Sequence, residues 1–534
     1  MCYNTGVNIL FVCAEVAPFV SVGGLSQVMY FLPRMLSRMG NDVRIFTPKY
    51  GKMDSDPLHG KSWKMKLSIK GLKVPLVNNA TDIQLKQDRK DYLICNVKTY
   101  INRKRSIHAY FLENREYYEL RANVFGYMDD HVRFALLSKG CLEWLYQLYL
   151  DNKGDKDKWW PDVIHCNDWH TAYLIGMARR DKRYRHIFAK TAIVLTVHNF
   201  AFQGNYDYRF AKKEDFDDGT TDLSPILSRS FQKHNALRRG LLYADAINTV
   251  SPSHAIEVLT SEYAEGLDDA LEKVKGKLIG ILNGLDTDEF NPSTDPIIKA
   301  RFTEKTFEKA RKINKIELQK LFLLPVNIDA PLLAFAGRLW RQKGVDILLH
   351  VLPNLLMQRP DLQVIILGSG DDTYRTKLVE LQKLYPRQLG LHLRADFRLP
   401  RKIFSGADIF LIPSSYEPGG LVALEAMRYG AVPVVRRTGG LNDSIQDFDP
   451  VKGTGNGFSF TNNDSWAFYG SIIEALTIYK QKFLWKKLIL NCLRCDFSWE
   501  KAAKEYEKWY KHISEERKRA TRPISHRAYS SLLI

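Results

Sequence analysis

The sequence is poor in cysteine. Its 534 residues include seven, too few and too irregularly spaced for a disulfide framework. Cys13 in ILFVCAEV, Cys95 in YLICNV and Cys166 in VIHCND lie in apolar surroundings and read as buried, reduced thiols of an intracellular protein. Cys492 and Cys495 make one C-x-x-C, with no second pair to complete a zinc site and no strand-to-helix turn to make a redox motif. Long apolar runs are missing as well. None reaches the ~18 residues of a membrane span, and MCYNTGVNILFVCAEVAPF lacks the basic start of a signal peptide. A cytoplasmic protein with no membrane partner is expected. Acidic residues are scarce beside basic ones, 60 against 78, for a formal net charge of +18. The basic residues are scattered and form no long block, so they read as a solvated surface, and no nucleic-acid partner is expected.

What is present is an ordinary globular composition, 45% hydrophobic and 26% charged, in a chain long enough for more than one domain. Asn8–Val12 is a short β-rich run. Leu25, Val28, Met29, Leu32, Leu36 and Met39 then share one helical face, and a second strand follows at Val43–Thr47. This βαβ opening predicts a parallel sheet. Further strands are expected at Asp162–His165, Ala192–Val197 and Ala244–Val250, with helical stretches between, while Asp54 to about Lys104 reads as hairpins or insertions on the same sheet. After about residue 290 the alternation restarts with strands at Leu332–Ala336, Gln363–Leu367, Leu391–Arg394, Ile409–Pro413 and Val432–Val435. Helices are expected near Lys343–Gln358, Tyr374–Leu384, Leu421–Tyr429 and Leu441–Gln446. The fold class is therefore α/β, with two doubly wound domains, and ligands are expected just after the strands.

Those positions carry the informative residues. Ser21-Val22-Gly23-Gly24-Leu25 opens the first helix, where glycines and a helix N-terminus suit an anion. Gly337-Arg338-Leu339-Trp340-Arg341-Gln342-Lys343-Gly344 places Arg338 and Lys343 in one loop, a pair able to clamp a diphosphate and neutralise leaving-group charge. Pro413-Ser414-Ser415-Tyr416-Glu417-Pro418-Gly419-Gly420-Leu421 sets Glu417 on a Pro/Gly loop, where a carboxylate can accept paired sugar hydroxyls, and Glu425 follows in the next helix. Arg437-Thr438-Gly439-Gly440-Leu441 is another amide-rich helix start.

As an ordered set these motifs resemble those of the bacterial glycogen and starch synthase family, retaining glucosyltransferases of the GT-B fold. His198-Asn199-Phe200-Ala201-Phe202-Gln203-Gly204 resembles the family's HN-x-x-x-QG loop, and Asp168-Trp169-His170 its DWH. Asn283-Gly284-Leu285-Asp286, followed by Phe290-Asn291-Pro292, resembles its NG-x-D loop, and Asp496-Phe497-Ser498-Trp499 the start of its final crossover helix. The resemblance implies two Rossmann-like domains facing a central cleft. Residues 1–280 would form the acceptor-side domain and 290–496 the nucleotide-sugar domain. Residues 497–512 would be the crossover helix; from Ser514 the sequence itself loses helical periodicity, and 513–534 reads as a basic mobile tail.

The implied reaction transfers glucose from a nucleoside-diphosphate-glucose, ADP-glucose in preference to UDP-glucose, to the non-reducing end of an α-1,4-glucan. Arg338 and Lys343 would hold the donor diphosphate, Glu417 the transferred glucose, and His198 the reacting face of the donor sugar. Ser21, Gly23, Gly24, Asn283, Gly419, Gly420, Leu421, Glu425, Thr438, Gly439 and Gly440 would complete the donor site, and Asp168, Asn199 and Gln203 would meet the acceptor. No cofactor and no metal are expected, because the loop cations take the metal's part; the D-x-D string Asp286-Thr287-Asp288 falls inside the NG-x-D match. Four positions depart from the family pattern. Ser21 stands where the family carries Lys, Gly419 where Cys is frequent, and Ala395 where an aromatic residue stacks on the base, with Phe397 nearby as a substitute. Glu425 completes a Glu-x7-Glu pattern of other GT-B enzymes, where it reaches ribose hydroxyls. Two other readings fit parts of the pattern: a GT-B transferase using a UDP- or GDP-sugar with another acceptor, and a glucan-binding regulatory protein that lost turnover through Ser21.

Overall fold

The apolar run at Asn8–Val12 forms β1, and the amphipathic stretch after it forms the helix Gly24–Arg38, with Leu25, Val28, Met29, Leu32 and Leu36 buried. The chain returns as β2 (Asp42–Pro48), parallel to β1. This computed structural model describes residues 6–54, 63–75, 92–152, 155, 158–204, 235–396 and 398–521. Phe397 and residues 522–534 lie outside them. The chain falls into two units. The first contains the described residues of Met1–Thr249, Ala255–Ile281 and Ala502–Ile534, and the second those of Val250–His254 and Leu282–Lys501.

The first unit is built on a nine-stranded sheet. After β2 come β3 (Lys66–Pro75), β4 (Tyr92–Asn102), β5 (Ile107–Glu113), β6 (Val163–Asn167), β7 (Ala192–Val197), β8 (Ala246–Thr249) and β9 (Leu278–Gly280), in the spatial order β3-β4-β5-β2-β1-β6-β7-β8-β9. The irregular lysine-rich segment is the antiparallel edge of this sheet, β3 with β4 and β4 with β5; the other pairs are parallel. β1, β6 and β7 are buried almost throughout, which is why they read as continuous apolar runs.

The second unit carries a wholly parallel six-stranded sheet of β10 (Leu332–Ala336), β11 (Gln363–Leu367), β12 (Leu389–His392), β13 (Ile409–Ile412), β14 (Val432–Arg436) and β15 (Phe458–Phe460). Its order is β12-β11-β10-β13-β14-β15. The order reverses at β10 and β13, the switch point where doubly wound sheets bind ligands. Two elements sit earlier than the sequence reading places them. β12 starts at Leu389, because Leu389 pairs with Val364 and Leu391 with Ile366. The helix expected at Leu441–Gln446 is Gly439–Ser444, entered directly from Thr438, whose carbonyl accepts the Leu441 amide.

The last helix, Trp499–Ala520, carries on past residue 512 into the first residues of the segment expected to be a basic mobile tail. Its final turns are tied down by charge rather than by apolar spacing. Arg517 donates to the Ala189 carbonyl and to Asp245, and Lys518 pairs with Asp162 at 2.6 Å. Earlier in this helix the Tyr510 hydroxyl lies 2.5 Å from His165 Nδ1, and the Tyr506 hydroxyl accepts from Asn248 at 2.8 Å, so both side chains complete the core of the first unit. Among the described residues no helix is long and apolar enough to cross a membrane. Cys492 and Cys495 are free thiols turned onto carbonyl oxygens, Asn456 O and Asn491 O, and burial pushes both up, the opposite of a reactive pair.

Candidate active site

In the first unit the strand ends of β1, β6 and β7 bring a group of polar residues together. Cys13-Ala14-Glu15 follows β1, and the buried Glu15 carboxylate accepts from the Val22 amide at 2.6 Å and the Gly23 amide at 3.2 Å. Two of the amides that the sequence offers to a phosphate, those of Val22 and Gly23, are thus held by an internal anion. Burial pushes Glu15 up to about 7, against the pull of those amides and with Asp168 adding to the rise. Gly24 opens the helix. Ser21 is exposed, and its hydroxyl lies 2.7 Å from Ser26 Oγ, which itself donates to Gly23 O; Ser21 therefore closes the first helical turn.

Asp168 directly follows β6 with φ +55°, a left-handed conformation that few non-glycine residues adopt. Its Oδ1 accepts the His198 amide at 2.7 Å, and His198 Nε2 lies 3.2 Å from Asn167 Oδ1. The D-W-H and H-N motifs thus meet at one point. Burial holds the His198 imidazole below its usual range, with Asp168 opposing, so the ring is neutral near pH 7. His170 is a different case. It is buried against Phe125, Phe134 and Trp169, and burial takes it down to about 3, which makes it an interior histidine.

The rest of the H-N loop is braced by hydrogen bonds of its own. Asn199 Oδ1 accepts the Ala201 amide at 3.0 Å. Gln203 donates to the Phe200 and Glu265 carbonyls and accepts from Asn235 Nδ2 at 2.7 Å. Both of its amide hydrogens are committed, which corrects the expectation of a free acceptor-binding carboxamide. Gly204 has φ +72°, and a Cβ there would lie 2.2 Å from Trp169 Cε3. The Gly204→Ala variant is expected to lose about 1–3 kcal/mol of stability through backbone strain and overpacking, read as a lower thermal midpoint. An unchanged midpoint would mean that the Trp169 contact yields freely.

The second unit gathers its residues at the ends of β10, β13 and β14. Lys343 closes the turn after β10, and its ammonium pairs with the Glu417 carboxylate, whose Oε2 also accepts from Ser414 Oγ at 3.2 Å. Arg338 is exposed, and among the described residues its guanidinium meets no acceptor. The amides of Gly419, Gly420 and Leu421 likewise find no acceptor among the described residues. The two glycine loops touch backbone to backbone. The Gly440 amide donates to the carbonyls of Glu417 and Pro418, and a Cβ on Gly440 would lie 2.4 Å from the Gly419 carbonyl carbon. Gly439 and Gly440 therefore cradle the Glu417 loop, which corrects the reading of Gly440 as an amide donor to a ligand. Thr438 is fully buried beneath them, with an Oγ1 that has no partner among the described residues.

Asn283 is buried with its Nδ2 beside Gly419. Glu425 stands in the helix Leu421–Arg428. It is half-buried, and burial pushes its carboxyl up to about 7, with Arg401 opposing and Glu289 adding. Ala395 lies beyond the end of β12 and is exposed.

Starch synthase catalytic domains match residues 8–273, and group 1 glycosyl transferases match residues 322–486. The glycogen synthase of Clostridium novyi is 35% identical over 520 residues, 95% of this chain and 99% of that one. That of Caldicellulosiruptor saccharolyticus is 35% identical over 513 residues, 95% of this chain and 100% of its own. This chain belongs to the glycogen synthase family. It is a glucosyltransferase of the two-domain GT-B fold. The catalytic domain of starch synthase IV from Arabidopsis thaliana, solved with ADP and acarbose bound, superposes with a TM-score of 0.77 at 28% identity, covering 96% of this chain and 100% of that one. A sucrose-phosphate synthase from Thermosynechococcus elongatus shares the fold, with a TM-score of 0.53 at 16% identity, covering 96% of this chain and 100% of its own.

In this glycogen synthase homologue, sequence reasoning misses Glu15 and a latch at Val250–His254. Ser251 Oγ donates to Pro418 O at 2.8 Å, His254 Nε2 lies 3.1 Å from the Tyr416 hydroxyl, and Ser253 donates twice to Asp443. Together these contacts hold both flanks of the Glu417 loop. Glu15 had a usable signal, an acid in an apolar segment directly after a strand. The latch had none, because its partners lie more than 150 positions away in the sequence.

Proposed function

We propose that the chain transfers glucose, with retention, from ADP-glucose to the 4-hydroxyl at the non-reducing end of an α-1,4-glucan. The observation that carries this reading is the Lys343–Glu417 pair, set beside open amides at Gly419–Leu421 and an uncompensated Arg338. Cations and amides of this kind suit a diphosphate, and a carboxylate held at a strand end suits sugar hydroxyls. Arg338 and Lys343 stabilise the departing nucleoside diphosphate, Glu417 orients the glucose, and neutral His198, its Nε2–H given to Asn167 Oδ1, offers Nδ1 as an acceptor to a sugar hydroxyl. Asp168, fixed by the His198 amide, orients the acceptor hydroxyl. Catalysis is then positioning and leaving-group stabilisation rather than attack by a carboxylate. Asn283 lines the glucose pocket, and Glu425 is the ribose-facing carboxyl.

The supporting comparisons are the curated glycogen synthases and the ADP held by the plant synthase. Within the D-x-D string one oxygen is already engaged, since Asp286 Oδ1 accepts the amides of Asp288 and Glu289 at 2.8 and 3.1 Å. Activity is accordingly expected to withstand EDTA, and specific restoration by Mn2+ or Mg2+ after chelation would overturn the metal-free scheme. The deciding experiment is nucleotide release from ADP-glucose and UDP-glucose, side by side, with and without glycogen. Glycogen-dependent release of ADP with a modest preference over UDP is expected, because Ala395 offers no ring to the base. Release that ignores glycogen would sink the acceptor assignment.

A further inference from the structure

The second unit carries an aromatic pair that the catalytic residues do not use. Trp466 stands at the start of the helix Ser465–Lys480, 71% exposed, where Asp464 caps the helix through the Trp466 and Ala467 amides. Tyr469, one turn on, meets its ring edge to face, with centroids 6.3 Å apart and planes at 75°. Tyr469 is rigid. Its ring packs against the core of the unit, and its hydroxyl donates to Gln358 Oε1 at 2.7 Å. A lone exposed tryptophan is unremarkable, but one braced by a fixed second ring is a preformed corner. Exposed carboxamides lie beside it in the sequence, Asn462 and Asn463 in the turn before Trp466, and Gln358 contributes another through the Tyr469 bond.

This corner is remote from the donor loop within its own unit. Gln358 ends the helix Val345–Gln358, whose other end follows Lys343, and those 14 residues span ~20 Å. We propose that Trp466 and Tyr469 form an accessory binding site for α-1,4-glucan, separate from the acceptor position. The proposal rests on the glucan assigned above as acceptor. Two apolar faces at a steep angle suit a curved chain of glucose units, each presenting an apolar face of C–H groups, while carboxamides suit its hydroxyls. Two rings with a polar rim are far less than the ~800 Å² per partner of a stable protein interface, which favours sugar over protein. Such a site raises the effective concentration of chain ends near the catalytic residues of a polymer-bound enzyme without touching the chemistry.

The test uses the full chain in native gels containing glycogen, with no nucleotide sugar present, so that binding is read independently of turnover. Glycogen is expected to retard the parent, and Trp466→Ala to weaken that retardation about five- to ten-fold in apparent affinity, with Trp466→Phe between them. In kinetics Trp466→Ala should raise the half-saturating glycogen concentration by a similar factor and leave kcat on maltotriose unchanged. Retardation equal in parent and Trp466→Ala overturns the proposal, as does a parent dimer that Trp466→Ala dissociates with glycogen binding intact. If no glucan accepts glucose but the Trp466-dependent retardation persists, the acceptor reading fails and this site stands.

Discussion

Alanine at Arg338 or at Lys343 is expected to lower kcat by ~10²–10³, the usual consequence of removing one preorganised contact to developing charge. The two variants should differ in stability. Arg338 meets no acceptor among the described residues, so its loss costs rate alone. Lys343 pairs with Glu417, and the two side chains are only 22% and 13% exposed. Removing the lysine strands a largely buried carboxylate that keeps Ser414 as its remaining partner. Lys343→Ala should therefore also lose roughly 1–2 kcal/mol of unfolding free energy, between the limits for exposed and buried pairs. Steady-state kinetics and denaturant titration of both variants separate the effects. Near-normal turnover in both would remove these residues from the donor site, and equal stabilities would show that the pair carries no energy.

Glu417→Gln should change two quantities in opposite directions. Turnover should fall by ~10² or more, because a neutral carboxamide orients sugar hydroxyls less strongly and one of its two polar atoms can only donate. ADP binding should tighten by about three- to ten-fold, because the carboxylate no longer competes with the diphosphate for Lys343. Glu417 already neutralises that ammonium, so the proposed donor would have to displace it, and the same displacement would free the carboxylate for the glucose. Calorimetric titration with ADP beside kcat measurements decides the matter. Unchanged or weaker ADP binding in Glu417→Gln would show that Lys343 does not exchange one anion for the other.

Much of this architecture was legible because parallel strands covered on both faces are short apolar runs, as at Ala192–Val197 and Ile409–Ile412. The catalytic candidates were legible because they follow those strands. What the sequence hid falls into two physical kinds. Glycine pairs look alike whether they lend amides to a ligand or let two backbones touch; Gly419 and Gly420 keep their amides open, while Gly440 is spent on Glu417 and Pro418. Polar side chains likewise do not announce whether they face a ligand or brace a loop, as Gln203 and Glu15 do. The end of the last helix was hidden for a related reason, since Arg517 and Lys518 anchor it through single charged contacts that leave no periodic trace.

That helix also sets a timetable. The first unit takes its opening residues from the start of the chain and its closing helix from beyond Ala502. On the ribosome, the sheet around His165 and Asn248 emerges hundreds of residues before Tyr510 and Tyr506 arrive to meet those two side chains. The second unit is complete by Lys501 and can close as one continuous stretch, apart from Val250–His254, while the first still waits. A nascent chain of this protein thus spends most of its synthesis with an unfinished amino-terminal half, exposing polar groups and apolar surface that only the last segment covers.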